Sequence, residues 1–122
     1  MKKLFTRMGH VGIQVADVAR SVAFFRDTLG FAVEWDQKDS DWANVSLGGD
    51  DLGLIQKATG RHPPHVGLRA DSLDELKAAH AKLQAAGVEI DRIRGHRDGS
   101  QSFYFKDLDG NVFEGLFLPP EK

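Results

Sequence analysis

Four side chains of this 122-residue sequence have the chemistry to hold a divalent cation: His10, His65, Glu114 and, more weakly, Gln56. Two neutral imidazoles and a carboxylate suit Mn, Fe, Co, Ni or Zn. Three protein ligands also leave positions for water or substrate, as catalytic metal sites do. What links these residues is repetition. His10-Val11-Gly12-Ile13-Gln14-Val15 recurs as His65-Val66-Gly67-Leu68-Arg69-Ala70. Sliding the last strands of the two halves together aligns Asp51-Leu52-Gly53-Leu54-Ile55-Gln56 with Asp109-Gly110-Asn111-Val112-Phe113-Glu114, which sets Gln56 at the place of Glu114. Modules related by a pseudo-twofold would aim all four groups into one cleft.

A lone histidine at a strand start is more often structural than a ligand; the equivalent placement of two makes ligation the better reading for both. Glu114 lies between Phe113 and Gly115-Leu116-Phe117, and a carboxylate in so apolar a strand needs a partner or an ion. Gln56 is the weakest of the four, since a glutamine near a strand end is ordinarily just hydrogen-bonded. His62 lies in a linker, His80 on a helix stripe and His96 in a polar loop, and each carries less.

The elements that must position these groups are also repeated. Asp17 is placed to cap a helix with an apolar stripe of Val18, Val22, Phe25 and Leu29, stopped by Gly30. Ser72 and Glu75 form a capping box before Leu73, Leu76, Ala79, His80 and Leu83, with Gly87 past the end. Strands are predicted over 31–36, 42–47 and 52–57 in the first half and over 88–93, 102–106 and 112–118 in the second. Gly48-Gly49-Asp50-Asp51, Asp98-Gly99 and Asp109-Gly110 supply turns. The expectation is one α+β domain of two βαβββ modules, 8–57 and 65–118, joined by a linker over 58–64. The modules would form a cleft-lining, partly closed mixed sheet with helices outside.

Composition narrows the function classes. The chain is 41% hydrophobic and 28% charged, with a net charge of −2, which gives nucleic acid or an anionic membrane no electrostatic attraction. It has no cysteine, so disulfides and thiolate ligands are excluded, which fits a reducing compartment. No apolar run reaches the length of a membrane span, and none after the basic start suits a signal peptide. The expectation is a cytoplasmic protein with a small-molecule partner.

The matching stretches resemble the vicinal oxygen chelate superfamily, which includes glyoxalase I, type I extradiol dioxygenases, fosfomycin-resistance enzymes and bleomycin-resistance proteins. They are Gly9 to Val15 with Asp17 through Phe31, then His65-Val66-Gly67-Leu68, then Phe103-Tyr104-Phe105-Lys106-Asp107-Leu108-Asp109-Gly110-Asn111-Val112-Phe113-Glu114. Leu108 replaces the proline of the family's turn. The resemblance implies one divalent metal on His10, His65 and Glu114, with Gln56 where glyoxalase I has a further carboxylate. Glutamine is a poor base, which weighs against glyoxalase I itself. Gly12 stands where fosfomycin enzymes usually carry threonine, and their basic C-terminal extension has no counterpart. Extradiol dioxygenases are usually twice as long. The resemblance further implies a homodimer and a metal that acts as Lewis acid on an oxygen-chelating substrate, with Glu114 and Gln56 as the catalytic pair. The alternative is a metal-independent binder of the bleomycin-resistance type, in which Trp35 and Trp42 would wall a cleft for a flat ligand.

Overall fold

Capped helices and short strands follow one another in the order that the repeat predicts. The structure, a computed structural model, describes residues 3–35, 41–59 and 62–120. The expected strand end at Asp36 and the linker residues Gly60 and Arg61 lie outside the described residues. The first module comprises β1 (Arg7–Val15), α1 (Val18–Ala23), β2 (Ala32–Glu34), β3 (Trp42–Leu47) and β4 (Asp50–Gln56). The second comprises β5 (His65–Arg69), α2 (Leu73–Ala85), β6 (Arg94–Gly95), β7 (Gln101–Lys106) and β8 (Val112–Phe117). The class is therefore α+β, built from two βαβββ modules. His10–His65 forms one compact unit, and Met1–Gly9 with Val66–Lys122 forms the other.

In the first module the strands are ordered β2-β3-β4-β1, with β1 parallel to β4 and the other neighbours antiparallel. The Asp17 carboxylate accepts from the Arg20 amide at 3.0 Å, satisfying an orphan donor of the first helical turn. Val18 and Val22 then bury against Ala43, Val45 and Leu54. Helix α1 runs directly into a π-helical stretch, Phe24–Thr28. There the Leu29 amide reaches back to the Phe24 carbonyl at 3.3 Å. The wider turn rotates later positions out of the α phase. Leu29, predicted on the apolar stripe, is consequently 49% exposed. Gly48 and Gly49, at φ 45° and 113°, close a two-residue hairpin between Leu47 and Asp50, so β4 starts two residues earlier than predicted.

In the second module the order is β5-β8-β7-β6, with β5 parallel to β8. The Ser72 hydroxyl accepts from the Glu75 amide at 3.1 Å, as the capping box requires. Leu76 packs with Ala70 and Phe103 in this module's core. Residues before β1 belong here as well. Phe5 stacks on Phe105 at 6.1 Å, and the Thr6 amide donates to the Arg69 carbonyl at 2.8 Å. The strand predicted over 88–93 shrinks to a single bridge between Ile90 and Phe105. The cause is local: the Asp91 carboxylate accepts from the Tyr104 amide at 2.7 Å, where a continuous ladder would place a backbone carbonyl. Among the described residues, no helix is long and apolar enough to cross a membrane.

Candidate metal centre

His10 and His65 come together as the repeat predicts. Their Nε2 atoms lie 2.9 Å apart, with ring planes at 84°, and both side chains are half-buried. The Pro63 carbonyl lies 2.8 Å from His65 Nδ1. A carbonyl can only accept, so Nδ1 carries the proton and Nε2 keeps its lone pair. Such a second bond is what orients a ligating imidazole. The two Nε2 atoms are at hydrogen-bond distance, and imidazole nitrogens this close to one another could both serve a divalent cation as ligands. Gly12 makes room for the pair. A methyl group there would lie 2.7 Å from His65 Cε1 and 2.9 Å from its Nδ1. This explains locally why position 12 carries no side chain, threonine included.

Glu114 belongs to the second module. It sits on β8, half-buried, opposite Gly67 of β5 on one side and Tyr104 of β7 on the other. The Tyr104 phenol lies within reach of a hydrogen bond to the Glu114 carboxylate. Burial, the neighbouring charges of Glu114 and Asp91, and that hydrogen bond push the phenol well above its ordinary range, with Arg94 opposing. Tyr104 therefore stays protonated at neutral pH and acts as a donor. The preceding turn is fixed by Asp107, whose Oδ1 accepts from the amides of Asp109 and Asn111 at 2.9 Å each. Leu108, in the proline's place, is fully exposed.

Gln56 requires a correction. Its Oε1 accepts from the Val18 amide at 3.1 Å, and its Nε2 donates to the Ala16 carbonyl at 2.5 Å. The amide therefore closes the start of α1 and is spent on backbone groups. The strand register explains the error. Gly12 pairs with Gly53 across β1 and β4, whereas Gly67 pairs with Glu114 across β5 and β8. The position equivalent to Glu114 is Gly53, three residues before Gln56. A methyl group at Gly53 would meet only ordinary contacts of 3.8 Å, from Gly12 Cα and the Val11 carbonyl.

The remaining candidates are spoken for. His80 Nε2 lies 2.7 Å from the Asp91 carbonyl, and its ring meets the Phe103 ring edge-on at 4.9 Å. His96, in its polar loop, is exposed, and its Nε2 lies 2.8 Å from the Ser102 hydroxyl. Trp35 packs against the first module's core, while Trp42 is 48% exposed. Tyr104 and Pro63 were not singled out in the sequence. Tyr104 stands ten residues before Glu114, as a hairpin partner can, but that spacing alone gives no register.

The chain belongs to the Glyoxalase/Bleomycin resistance protein/Dioxygenase superfamily, which it matches over residues 7–114. It is 27% identical over 105 residues to 2,2',3-trihydroxybiphenyl dioxygenase of Sphingomonas paucimobilis, covering 80% of this chain and 36% of that one. The chain thus spans about a third of that relative's length. Among solved structures, methylmalonyl-CoA epimerase from Mycobacterium tuberculosis matches with a TM-score of 0.74 at 22% identity, covering 98% of this chain and 93% of that one. The Mn(II)-bound glyoxalase from Novosphingobium aromaticivorans matches with a TM-score of 0.73 at 21% identity, covering 93% of this chain and 38% of that one. At these identities the likeness to solved structures is one of fold. The relatives so named are enzymes, and their reactions differ.

Proposed function

We propose that the protein is a divalent-metal-dependent enzyme acting on a small molecule with oxygen donors, its ion held by His10, His65 and Glu114. The observation that carries this reading is the imidazole pair, with Nε2 atoms 2.9 Å apart and the His65 tautomer fixed by Pro63. His10, His65 and Glu114 are half-buried, and together they have the chemistry to hold a metal ion. A bound divalent ion supplies Lewis acidity to a substrate oxygen. The protein's part is to bind and orient. With an ion bound, His65 would offer the lone pair at Nε2, His10 would move its proton from Nε2 to Nδ1 so that its Nε2 could ligate, and Glu114 would bring compensating charge. The ion belongs to the set Mn, Fe, Co, Ni and Zn, and the manganese of the glyoxalase structure is a member of that set.

Elemental analysis of untreated protein tests the reading. About one equivalent of metal is expected, and Glu114→Ala should lose it, because two imidazoles leave the site short of a ligand and of charge. Equal metal content in variant and parent removes Glu114 from the site. Metal-free protein that takes up none on titration leaves the binder of the bleomycin-resistance type. The single domain over 8–118, a homodimer and a cytoplasmic location stay with the proposal. Support for the dimer comes from apolar side chains rather than strand edges, since β2 and β6 are only three and two residues long. Val11, Phe24, Leu29, Trp42 and Leu47 of the first module are all exposed. Sedimentation at micromolar concentration checks it, and a monomer there refutes it.

A further inference from the structure

Within the second module a line of polar contacts leads from the surface to Glu114. The Arg94 guanidinium lies 3.3 Å from Asp91 Oδ2. Asp91 grips Tyr104 from both sides of its backbone: Oδ1 accepts from the Tyr104 amide at 2.7 Å, and the Asp91 amide donates to the Tyr104 carbonyl at 3.0 Å. Tyr104 faces Glu114 directly across the β7–β8 ladder, which puts its phenol within hydrogen-bonding reach of that carboxylate. A strand position held at its amide and its carbonyl cannot slide, so the phenol is carried on a backbone fixed in register opposite Glu114. Among the described residues of the first module, the equivalent place is built differently. There Asn44 stands opposite Gly53, and its amide donates to Asp51 Oδ1 at 3.1 Å.

We propose that Tyr104 is the positioning residue of Glu114. It occupies one lone pair of the carboxylate with a donated hydrogen bond, so that the carboxylate is held in a single orientation, and Asp91 keeps Tyr104 in place. The proposal rests on Glu114 being a metal ligand, as read above. A carboxylate without that bond samples several rotamers and must be ordered when the ion arrives, which weakens binding. Partners of this kind commonly change metal affinity by about tenfold to a hundredfold.

The test is a titration of metal-free protein with Co(II), followed by visible absorption and by competition with a chelator. It compares wild type, Tyr104→Phe and a variant with para-aminophenylalanine at 104. Phenylalanine keeps the ring and loses the donor. It should weaken Co(II) binding at least about tenfold and shift the visible bands, while the thermal midpoint of the metal-free protein moves little. The amino analogue, which restores a donor, should recover most of the affinity. Wild type that binds Co(II) and a Tyr104→Phe variant that binds it equally well, with the same spectrum, overturn the positioning role alone. Failure of the amino analogue to recover affinity also overturns it, because the ring rather than the donor would then matter. Wild type that takes up no Co(II) overturns both this inference and the metal reading beneath it.

Discussion

The corrected register makes Gly53→Glu the most informative single substitution. Gly53 occupies in the first module the place that Glu114 occupies in the second. Its φ lies outside the left-handed region, and a Cβ there meets nothing closer than 3.8 Å, so the backbone accepts a side chain without strain. Replacing a mid-strand glycine should itself add about 0.5–1 kcal/mol of stability. Gly53 is paired with Gly12, over which the His65 ring lies, so a glutamate at 53 starts beside the imidazole pair. A carboxylate about 4 Å from a dication gains about 8 kcal/mol at an effective dielectric near 20. Desolvating the carboxylate returns several kcal/mol of that, and Asp51, two residues along the strand, adds like-charge repulsion. A net gain of about 1–3 kcal/mol remains, or roughly tenfold to a hundredfold slower metal release. The added ligand also takes a position that a substrate oxygen would use, so a small bidentate probe such as oxalate should bind more weakly. The assay is metal off-rate into excess fluorescent chelator, with oxalate affinity measured alongside. If both are unchanged, position 53 does not face the imidazole pair, and strand register is the wrong guide to equivalence between the modules.

Other outcomes follow from the same contacts. Gln56→Ala removes two hydrogen bonds at the start of α1 and should cost about 1–3 kcal/mol in urea melts, with metal content unchanged. Lost metal would return Gln56 to the site. Gly12→Ala should push the His65 ring off its Pro63 bond and speed metal release at least about tenfold; wild-type release would show that the ring moves freely. Hydrogen bonds from the Asn111 side chain and backbone hold the Asp107 carboxyl below its usual range. Its folded value is thus the lower one, and the stabilisation is complete at neutral pH and is lost as pH falls below about 4. Thermal melts from neutral to acid should fall less steeply for Asp107→Ala than for wild type, and parallel acid limbs would count against the turn.

What was legible in the sequence was whatever has a local cause. Asp17 and Ser72 cap their helices because a short polar side chain before an apolar stripe has few other uses. His10 and His65 could be paired because each begins a His-Val-Gly run in a strand followed by a capped helix. The errors arose where tertiary contacts override local pattern. Nothing in Phe24 to Thr28 announces a π-turn, so Leu29 was assigned to a face that it leaves. Asp91 reads as an ordinary polar residue, yet its carboxylate interrupts a ladder. Gln56 departs from its expected place because polar residues at the ends of the two final strands do not mark equivalent positions in their ladders. The parallel pairing with β1 and β5, which sets the true equivalence, leaves no mark on either strand alone.

Equivalent pairs in the two modules fill the same place with different residues. Ala43 faces Leu54 in the first module, and Phe103 faces Gly115 in the second. The large and small residues have changed strands, and a methyl group at Gly115 would lie 2.6 Å from the Phe103 ring. Next to these core pairs, Asn44 faces Gly53 while Tyr104 faces Glu114. A bulky residue on one strand requires a small one opposite, so volume is conserved within each pair. On the neighbouring pair that constraint is weaker, since a Cβ at Gly53 would make only ordinary contacts at 3.8 Å. Core packing therefore does not account for glycine at position 53. The glycine leaves the strand pair beside the two imidazoles without a side chain at that position, which is the room that Gly53→Glu would fill.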